Sequence, residues 1–457
     1  MEFSNITKQI KRFLDGRNDY NQAAFISGTP GMGKTYAALN YCAENKDSLY
    51  FSFKNIDAAF ALCVFCEAYP DIFGSCSSWH SFFDRLDIYG KEKRPTVFFD
   101  NVGDRNDKDD FYSELNLFLE NNFDTAIILI GRPWDPIGVS YQEIVAKPLS
   151  TQKISELLSV SDKDAVSIFC LTSGIPALLS LYNTELTFEE NLKAMLNTKS
   201  LFYRLVIEWM RESFRTPESY NTLLYAMANG QNRISELARF SGYPKNKCDK
   251  YIKALCEYGL VLKVPGKNGH TKYSPANSYL TLWYKVLLTA VPNSDGSFSE
   301  EVYTKFMQFF NDVILSDFYK DMCYYWLKKN INDITVEYIN TEDEAHRAVR
   351  LGDITFGFAF EGKRNTYAYF DTVFGKGLDM TLWGEIEKVT TTDRPFYENE
   401  YYLCTVNRVP DKFWRLNQVY ANVHIVQLKS LFAEYNKEYN HINHPRFVPS
   451  FVRSRGR

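Results

Sequence analysis

A glycine-rich octapeptide near the amino terminus has the residue types and spacing to bind phosphate. It reads GTPGMGKT, Gly28–Thr35, and matches the pattern Gly-x-x-x-x-Gly-Lys-[Ser/Thr] in full. The apolar run QAAFIS at 22–27 predicts a short buried strand before it, and the run TYAALNYCAEN that starts at Thr35 predicts a helix after it. Because strand, glycine loop and helix are the context in which this pattern binds nucleotides, we expect a phosphate loop here.

Each residue type in the loop has a physical role beside a phosphate. The glycines allow tight turns that aim backbone N–H groups inward, and the following helix presents its positive end to the same place. Lys34 reaches the outer phosphates, and the hydroxyl of Thr35 is a candidate ligand for Mg²⁺. The predicted nucleotide-binding residues of this segment are Gly28, Thr29, Pro30, Gly31, Met32, Gly33, Lys34, Thr35 and Tyr36.

Two later apolar runs predict strands that end on charged residues. TVFFD at 96–100 ends on Asp100, and a phosphate loop requires an acid from a neighbouring strand to serve Mg²⁺ together with Thr35. TAIILIGR at 125–132 ends on Arg132, which at the carboxyl end of a parallel sheet lies beside the phosphates and matches their geometry. The alternative for Arg132 is a surface arginine in the loop that leads into PWDP.

Asn101 follows Asp100 at the position where many ATPases carry a glutamate that activates water. An amide can orient a water molecule but cannot accept its proton. Asp104 is an alternative base three residues later, and the alternative role for Asn101 is to cap the following turn. With Asp100, Asn101 and Arg132 as candidate catalytic residues, we therefore expect slow hydrolysis or a switch held by nucleotide.

Four motifs in order, GTPGMGKT, VFFDNV, IILIGR and SGIPALL, resemble the signature order of STAND-type P-loop ATPases over about residues 20–180. The resemblance implies an α/β domain with a parallel sheet at 1–150, followed by a helical lid at 151–200. It also implies that ATP is the nucleotide, that Asp100 serves Mg²⁺, that Arg132 senses the γ-phosphate and that Pro176 lies on the adenine side.

The middle of the chain has the pattern of a winged helix-turn-helix domain, which we predict at 201–292. Amphipathic runs predict helices at 201–228, and ISELARF, the turn SGYP, a second helix and the hairpin-like LVLKVPGKNGHTKYSP follow. Seven lysines against two acids at 241–275 leave a local charge of +5, so Lys245, Lys247 and Lys250 are candidate contacts to double-stranded DNA. The alternative is a solvated helix on a packing module, since STAND-type proteins often use a winged helix as a lid.

The last third predicts a smaller α/β domain at 300–440. The segment YSPANSYLTLWYKVLL resembles archaeal-type AAA ATPases that carry a restriction-nuclease-like domain. The runs DITVEYI, RLGDITFGFAF and NTYAYFDTVF each predict a strand, and the order α-β-β-β-α-β resembles the PD-(D/E)XK nuclease core. That resemblance implies metal-binding acids at Asp353 and Asp371, with Asp317 as an added acid. Val373 stands where the family has lysine, and Lys376 lies past the predicted strand end, so we expect a degenerate nuclease fold.

Composition restricts the class of protein and its compartment. The 457 residues carry a net charge of −4, too near neutral to predict nucleic-acid binding by the chain as a whole. No run of about 18 apolar residues predicts a membrane span, and nine scattered cysteines suit a reducing cytoplasm. A zinc site at Cys63, Cys66, Cys76 and His80 is the alternative to cysteines that pack as small hydrophobes in a helix.

These patterns together predict a cytoplasmic, ATP-binding switch with three parts: a P-loop NTPase sheet, a winged helix-turn-helix and a nuclease-like domain. A basic tail occupies 441–457. We expect Mg²⁺ as the metal, slow turnover, and a nucleotide-dependent homo-oligomer or another protein as partner. The alternatives are a metal-dependent DNA nuclease effector and a non-catalytic DNA-binding regulator.

Overall fold

The computed structural model describes the chain in eleven segments, and the fold is given for these alone. They are 6–16, 23–103, 109–133, 137–265, 271–330, 349–351, 354–356, 358–360, 364–371, 378–392 and 394–441. The chain divides into two units. Unit 1 is Met1–Leu149 with Ile175–Ser180, and unit 2 is Ser150–Gly174 with Leu181–Arg457.

The first 200 residues contain five strands and ten helices in the part that the structure describes. The strands are β1 (Ala23–Ser27), β2 (Leu49–Ser52), β3 (Thr96–Asp100), β4 (Ala126–Ile130) and β5 (Gln142–Val145). The helices are α1 (Ile6–Asp15), α2 (Lys34–Glu44), α3 (Ala58–Ala68), α4 (Pro70–Phe73), α5 (Trp79–Lys93), α6 (Asp109–Asn121), α7 (Thr151–Leu158), α8 (Asp162–Thr172), α9 (Pro176–Leu179) and α10 (Phe188–Met195).

Unit 1 is built on one parallel sheet with strand order β2-β3-β4-β1-β5. The strands β1, β3 and β4 are buried along their whole length, as parallel strands covered on both faces must be. This confirms the strands that the apolar runs predicted. With a glycine loop between β1 and α2, the arrangement fits the α/β fold of P-loop NTPases.

Aromatic side chains fill one face of this sheet. Phe51 on β2 stacks on Phe99 of β3 with ring centroids 5.4 Å apart, and Phe73 stacks on Phe82 at 4.2 Å. Helices α3, α5 and α6 cover this face. Because β2 alternates buried and half-buried residues, Tyr50 points to the opposite face. That opposite face carries the candidate site.

The rest of the chain contains eight strands and ten α-helices in its described part. The strands are β6 (Val261–Pro265), β7 (Thr271–Pro275), β8 (Val349–Leu351), β9 (Ile354–Phe356), β10 (Phe358–Phe360), β11 (Asn365–Asp371), β12 (Asn399–Thr405) and β13 (Val423–Gln427). The helices are α11 (Leu201–Ser213), α12 (Pro217–Ala228), α13 (Ile234–Ser241), α14 (Lys245–Glu257), α15 (Ser278–Leu282), α16 (Glu300–Phe309), α17 (Ser316–Asn330), α18 (Met380–Thr390), α19 (Asp411–Val419) and α20 (Leu428–His441).

The middle of unit 2 has helices on both sides of the predicted turn, followed by a hairpin. α13 ends at Gly242, whose φ of 71° is a left-handed conformation that glycine adopts without strain. Helix α14 buries Cys248, Ile252 and Leu255, and β6 then pairs with β7 in antiparallel register. These are the elements that the pattern predicts. Their assignment as a winged helix remains a prediction.

The carboxyl-terminal sheet has strand order β10-β11-β12-β13. β10 runs antiparallel to β11, and β11, β12 and β13 are parallel. The run RLGDITFGFAF at 350–360 was expected to form one strand, but its described residues form parts of three short strands, with β8 and β9 in a separate two-stranded sheet.

The assignment of a nuclease-like core to this sheet stays a prediction, and the predicted strand DITVEYI lies outside the described residues. A separate hydrophobic core, centred on Trp383, Tyr401 and Phe413, supports the sheet. Among the helices that the structure describes, none combines the length and the apolar character needed to cross a membrane.

Candidate nucleotide-binding site

The phosphate loop connects the end of β1 to the start of α2. Gly31 and Gly33 have φ values of 84° and 81°, a left-handed conformation that glycine adopts far more readily than other residues. A Cβ atom on Gly28 would lie 2.8 Å from the Cβ of Ala146, so this position has no room for a side chain. The sequence pattern is therefore required by the backbone of the loop, which leads directly into the positive end of α2.

Lys34 is the first residue of α2 and is half-buried. Its Nζ donates to the carbonyl oxygen of Thr29 at 3.1 Å and also to that of Gly28. The ammonium group is thus held at the loop itself, where the motif predicts a contact with phosphate oxygens.

Asp100 is the point at which the predicted metal residues meet. Its carboxylate is buried, with 2% of the residue exposed. The hydroxyl of Thr35 donates to Oδ2 at 2.6 Å, the hydroxyl of Tyr50 donates to the same oxygen at 2.8 Å, and the N–H of Asn101 donates to Oδ1 at 2.7 Å. Carboxylate and hydroxyl oxygens are ligands that suit Mg²⁺, so the residues present fit this ion.

Tyr50 is a site residue that sequence reasoning missed. β2 and β3 pair in parallel with Ser52 opposite Asp100, so Tyr50 lies two residues before that pair and on the same face. Burial, and the negative charge of Asp100, raise the pKa of the Tyr50 hydroxyl above its ordinary value. The hydroxyl therefore stays protonated at neutral pH and acts as a donor. Alternation in LYFS marks a strand, but only the register reveals the partner.

The backbone conformation of Asn101 partly explains why an asparagine occurs at this position. Its φ is 58°, in the left-handed region, where asparagine is enriched among non-glycine residues. Its side-chain amide donates to the hydroxyl of Ser52 at 3.2 Å. The amide thus bridges the ends of β2 and β3. A role in orienting water remains a prediction, and Asp104 lies outside the described residues.

Arg132 lies at the end of the strand between the loop and the acid. Strand β4 separates β1 from β3, and the N–H of Gly131 donates to the carbonyl of Ile26 on β1 at 3.1 Å. Arg132 follows and is half-buried. Chain topology therefore brings residue 132 near the carboxyl ends of β1 and β3, which is where a γ-phosphate contact was predicted. The contact itself remains a prediction.

The SGIPALL motif lies against the phosphate loop. Pro176 is buried at the first position of α9, where a proline suits the helix start. The N–H of the next residue, Ala177, donates to the carbonyl of Gly31 at 3.0 Å. This contact explains why α9 belongs to unit 1 although its sequence neighbours belong to unit 2. Contact of Pro176 with adenine stays a prediction.

The four alternative zinc ligands do not come together as one group. Cys66 is buried in the aromatic core and Cys63 is exposed. The thiol of Cys76 donates to a backbone carbonyl, and His80 pairs with Glu114 at 3.0 Å. In the part of the chain that the structure describes, no three His, Cys, Asp or Glu side chains form a metal-binding group.

The lysines of α14 do not form one surface. Lys245 and Lys250 are exposed. The ammonium of Lys247 instead lies 4.0 Å from the ring centroid of Tyr243 and 5.4 Å from that of Tyr251. Of the three lysines predicted to contact DNA, Lys247 therefore has a cation–π role within unit 2.

The predicted nuclease acids are only partly described. Asp371 ends β11 and lies in register with Thr405 of β12. Asp317 on α17 is buried, and the Nζ of Lys320 lies 3.6 Å from its carboxylate. The remaining predicted residues, Asp353, Val373 and Lys376, lie outside the described residues.

Comparisons with known proteins give distant similarities, and no family model matches the chain. It is 22% identical over 338 residues to the uncharacterized protein MJECL04 of Methanocaldococcus jannaschii, which covers 67% of this chain and 74% of that protein.

Two solved structures are similar at low TM-scores. One is the STAND protein PH0952 of Pyrococcus horikoshii, with a tetratricopeptide repeat sensor, at a TM-score of 0.30 and 13% identity. The match covers 74% of this chain and 47% of that one, so this chain spans under half of its length. The other is a RuvB variant of Thermotoga maritima, at a TM-score of 0.31 and 14% identity, covering 59% of this chain and 91% of that one. The assignment of the fold rests on the sheet order and the phosphate loop.

Proposed function

We propose that the chain binds ATP with Mg²⁺ at the phosphate loop, hydrolyses it slowly, and acts as a nucleotide-dependent switch. The observation that supports this most directly is the 2.6 Å hydrogen bond between Thr35 on the loop and Asp100 on β3. It brings a hydroxyl and a carboxylate together beside a complete phosphate-binding motif. Lys34, Thr35 and Asp100 would hold the nucleotide and its metal.

Slow turnover follows from the residue beside Asp100. Bound Mg²⁺ would supply charge that stabilises the phosphates during transfer. The described end of β3 offers an amide at Asn101, which cannot take a proton from water. The protein would therefore persist in the ATP-bound form longer than an ATPase with a glutamate there, which suits a switch.

The chain connectivity supports a proposed route for switching. The carbonyl of Gly31 in the loop accepts a hydrogen bond from Ala177 of α9. Helix α9 is covalently flanked on both sides by segments of unit 2. A change in the loop on nucleotide binding would move α9 and so pull on the chain that leads to the winged-helix and nuclease-like parts.

Lys34→Ala tests the nucleotide site. Removing a charge-assisted contact of this kind costs about 1.5–3 kcal/mol, so ATP should bind roughly 10- to 100-fold more weakly in isothermal titration calorimetry with Mg²⁺. Lys46→Ala is the matched control, since Lys46 is an exposed lysine just after α2. Equal affinity in the Lys34 variant and the wild type would refute ATP binding at this loop.

A second candidate function is duplex DNA binding through α14. The exposed lysines Lys245, Lys250 and Lys253 of α14 favour it. Binding measured against salt concentration should lose about one unit of log–log slope for each phosphate contact removed, as in Lys250→Ala. Salt-independent binding, or none, would leave α14 as a packing helix.

A further inference from the structure

We propose that Tyr50 is a positioning residue that fixes the carboxylate of Asp100 and thereby sets the affinity of the nucleotide site for Mg²⁺. This rests on the proposed ATP-binding function and adds a residue that no sequence motif marks. The tyrosine donates to Oδ2 of Asp100 at 2.8 Å, the same oxygen that accepts from Thr35.

Tyr50 is held rigidly at two points. In the sheet that the structure describes, β2 is an edge strand beside β3. On that strand, the N–H of Tyr50 donates to the hydroxyl of Tyr69 at 3.1 Å. The half-buried side chain then reaches Asp100 on the neighbouring strand β3. Because both its backbone N–H and its hydroxyl form hydrogen bonds, Tyr50 restricts the Asp100 carboxylate to one orientation.

The two side-chain donors to Oδ2 come from different elements. Thr35 belongs to the phosphate loop and α2, whereas Tyr50 belongs to the sheet. If the Thr35 oxygen gives a lone pair to Mg²⁺, its proton can still point to Asp100. The hydrogen bond from Tyr50 to Asp100 does not depend on the position of the phosphate loop. Without it, only the Asn101 N–H on Oδ1 would still hold the carboxylate when the loop shifts.

A neutral donor suits this position better than a cation would. Tyr50 and the Asn101 N–H satisfy the carboxylate without cancelling its charge. The negative charge remains available to a divalent ion. Hydrogen bonds of this kind to metal-site groups typically contribute 10- to 100-fold to metal affinity.

The test is a titration of Mg²⁺ at a fixed ATP concentration, with ATP-induced thermal stabilisation and binding of a fluorescent ATP analogue as readouts. Tyr50→Phe should raise the Mg²⁺ concentration for half-maximal stabilisation about 10-fold. Its affinity for ATP in EDTA should equal that of the wild type. A merely structural role would weaken both states alike.

Tyr41→Phe is the matched control. Tyr41 on α2 packs on Phe98 of β3 and its hydroxyl accepts from Thr96, so the same atom is removed from the same side of the sheet without touching Asp100. Its Mg²⁺ titration should match the wild type. Tyr50→Met removes the hydroxyl with a flexible apolar side chain and should reproduce the Tyr50→Phe shift, so the test does not depend on one variant folding.

The outcomes separate the two proposals. Wild-type protein that binds ATP with Mg²⁺, and Tyr50 variants whose Mg²⁺ titration is unchanged, would overturn the role of Tyr50 and leave the nucleotide site standing. Equal weakening with and without Mg²⁺ would also overturn it, in favour of a packing role. A wild type that binds no ATP would refute both.

Discussion

Asp100 and Asp371 both end a strand that pairs in parallel with a neighbour, and the two strands belong to different sheets. Asp100 ends β3, with Ser52 of β2 and Ile130 of β4 in register on its two sides. Asp371 ends β11, with Thr405 of β12 in register. Both acids were predicted to hold a metal.

In unit 1 other elements deliver complementary groups to the acid. The phosphate loop brings Thr35, and β2 brings Tyr50, to the same carboxylate. In the carboxyl-terminal sheet the described ionic cluster lies at the other end of β12, where Glu400 pairs with Arg364 and with His424 at 2.9 Å. At Asp100, the phosphate loop and β2 therefore turn a strand-end acid into a candidate site by delivering partners to it.

The largest expected effect separates the two acids directly. Asp100→Ala should weaken the Mg²⁺-dependent part of ATP binding by about 100-fold, because it removes the group that Thr35 and Tyr50 both contact. Asp371→Ala should leave it unchanged. Titration of Mg²⁺ with a fluorescent ATP analogue measures both. Similar losses in the two variants would show that the sheet ends are functionally linked.

The next effect concerns turnover at Asn101. Wild-type phosphate release should be slower than about 1 s⁻¹, the lower end for ordinary enzymes. Asn101→Glu should accelerate it at least 10-fold, since a positioned base contributes about 10²–10⁴-fold. The left-handed backbone should reduce that variant's stability by about 1–2 kcal/mol in thermal unfolding.

Asn101→Gly is the matched control for the backbone, because glycine accepts a φ of 58° and adds no base. It should fold well and remain slow. Ordinary turnover in the wild type would mean that another group, such as Asp104, already serves as the base.

A smaller effect on stability is expected at two lysines of α14 in unit 2, Lys247 and Lys250. Lys247→Ala should lower the free energy of unfolding by about 0.5–1 kcal/mol, because its ammonium lies over two tyrosine rings. Lys250→Ala, at an exposed position, should change stability by less than about 0.5 kcal/mol. Chemical denaturation measures both. Equal losses would show that the tyrosine contacts contribute little.

The last prediction is that the protein does not cleave DNA. Duplex and single-stranded DNA should remain intact with the protein, ATP and Mg²⁺ or Mn²⁺, because Val373 can neither donate a hydrogen bond nor carry charge. Gel electrophoresis over hours checks this. Cleavage that disappears in both Asp353→Ala and Lys376→Ala would instead establish a nuclease. Asp100 and Asp371 would then both belong to metal sites.

Prediction from the sequence succeeded where a motif is local. The strand, glycine loop and helix around Lys34 are continuous in the chain, and their short-range geometry dictates the glycines. It was less successful at 350–360, where β-prone residues indicated one strand and the structure has short pieces. Strand length depends on pairing partners as well as on propensity.

Neighbouring residues were enough to predict the phosphate loop, the buried strands and the strand-end acid at Asp100. The contact of Tyr50 with Asp100, 50 residues away, and the position of Lys247 over tyrosine rings became visible only in the folded chain. The physical reason is that register between strands, and the direction of a side chain on a helix, are set by how the whole core packs. A hydroxyl is not identified as a partner of a carboxylate until the sheet has placed both on one face.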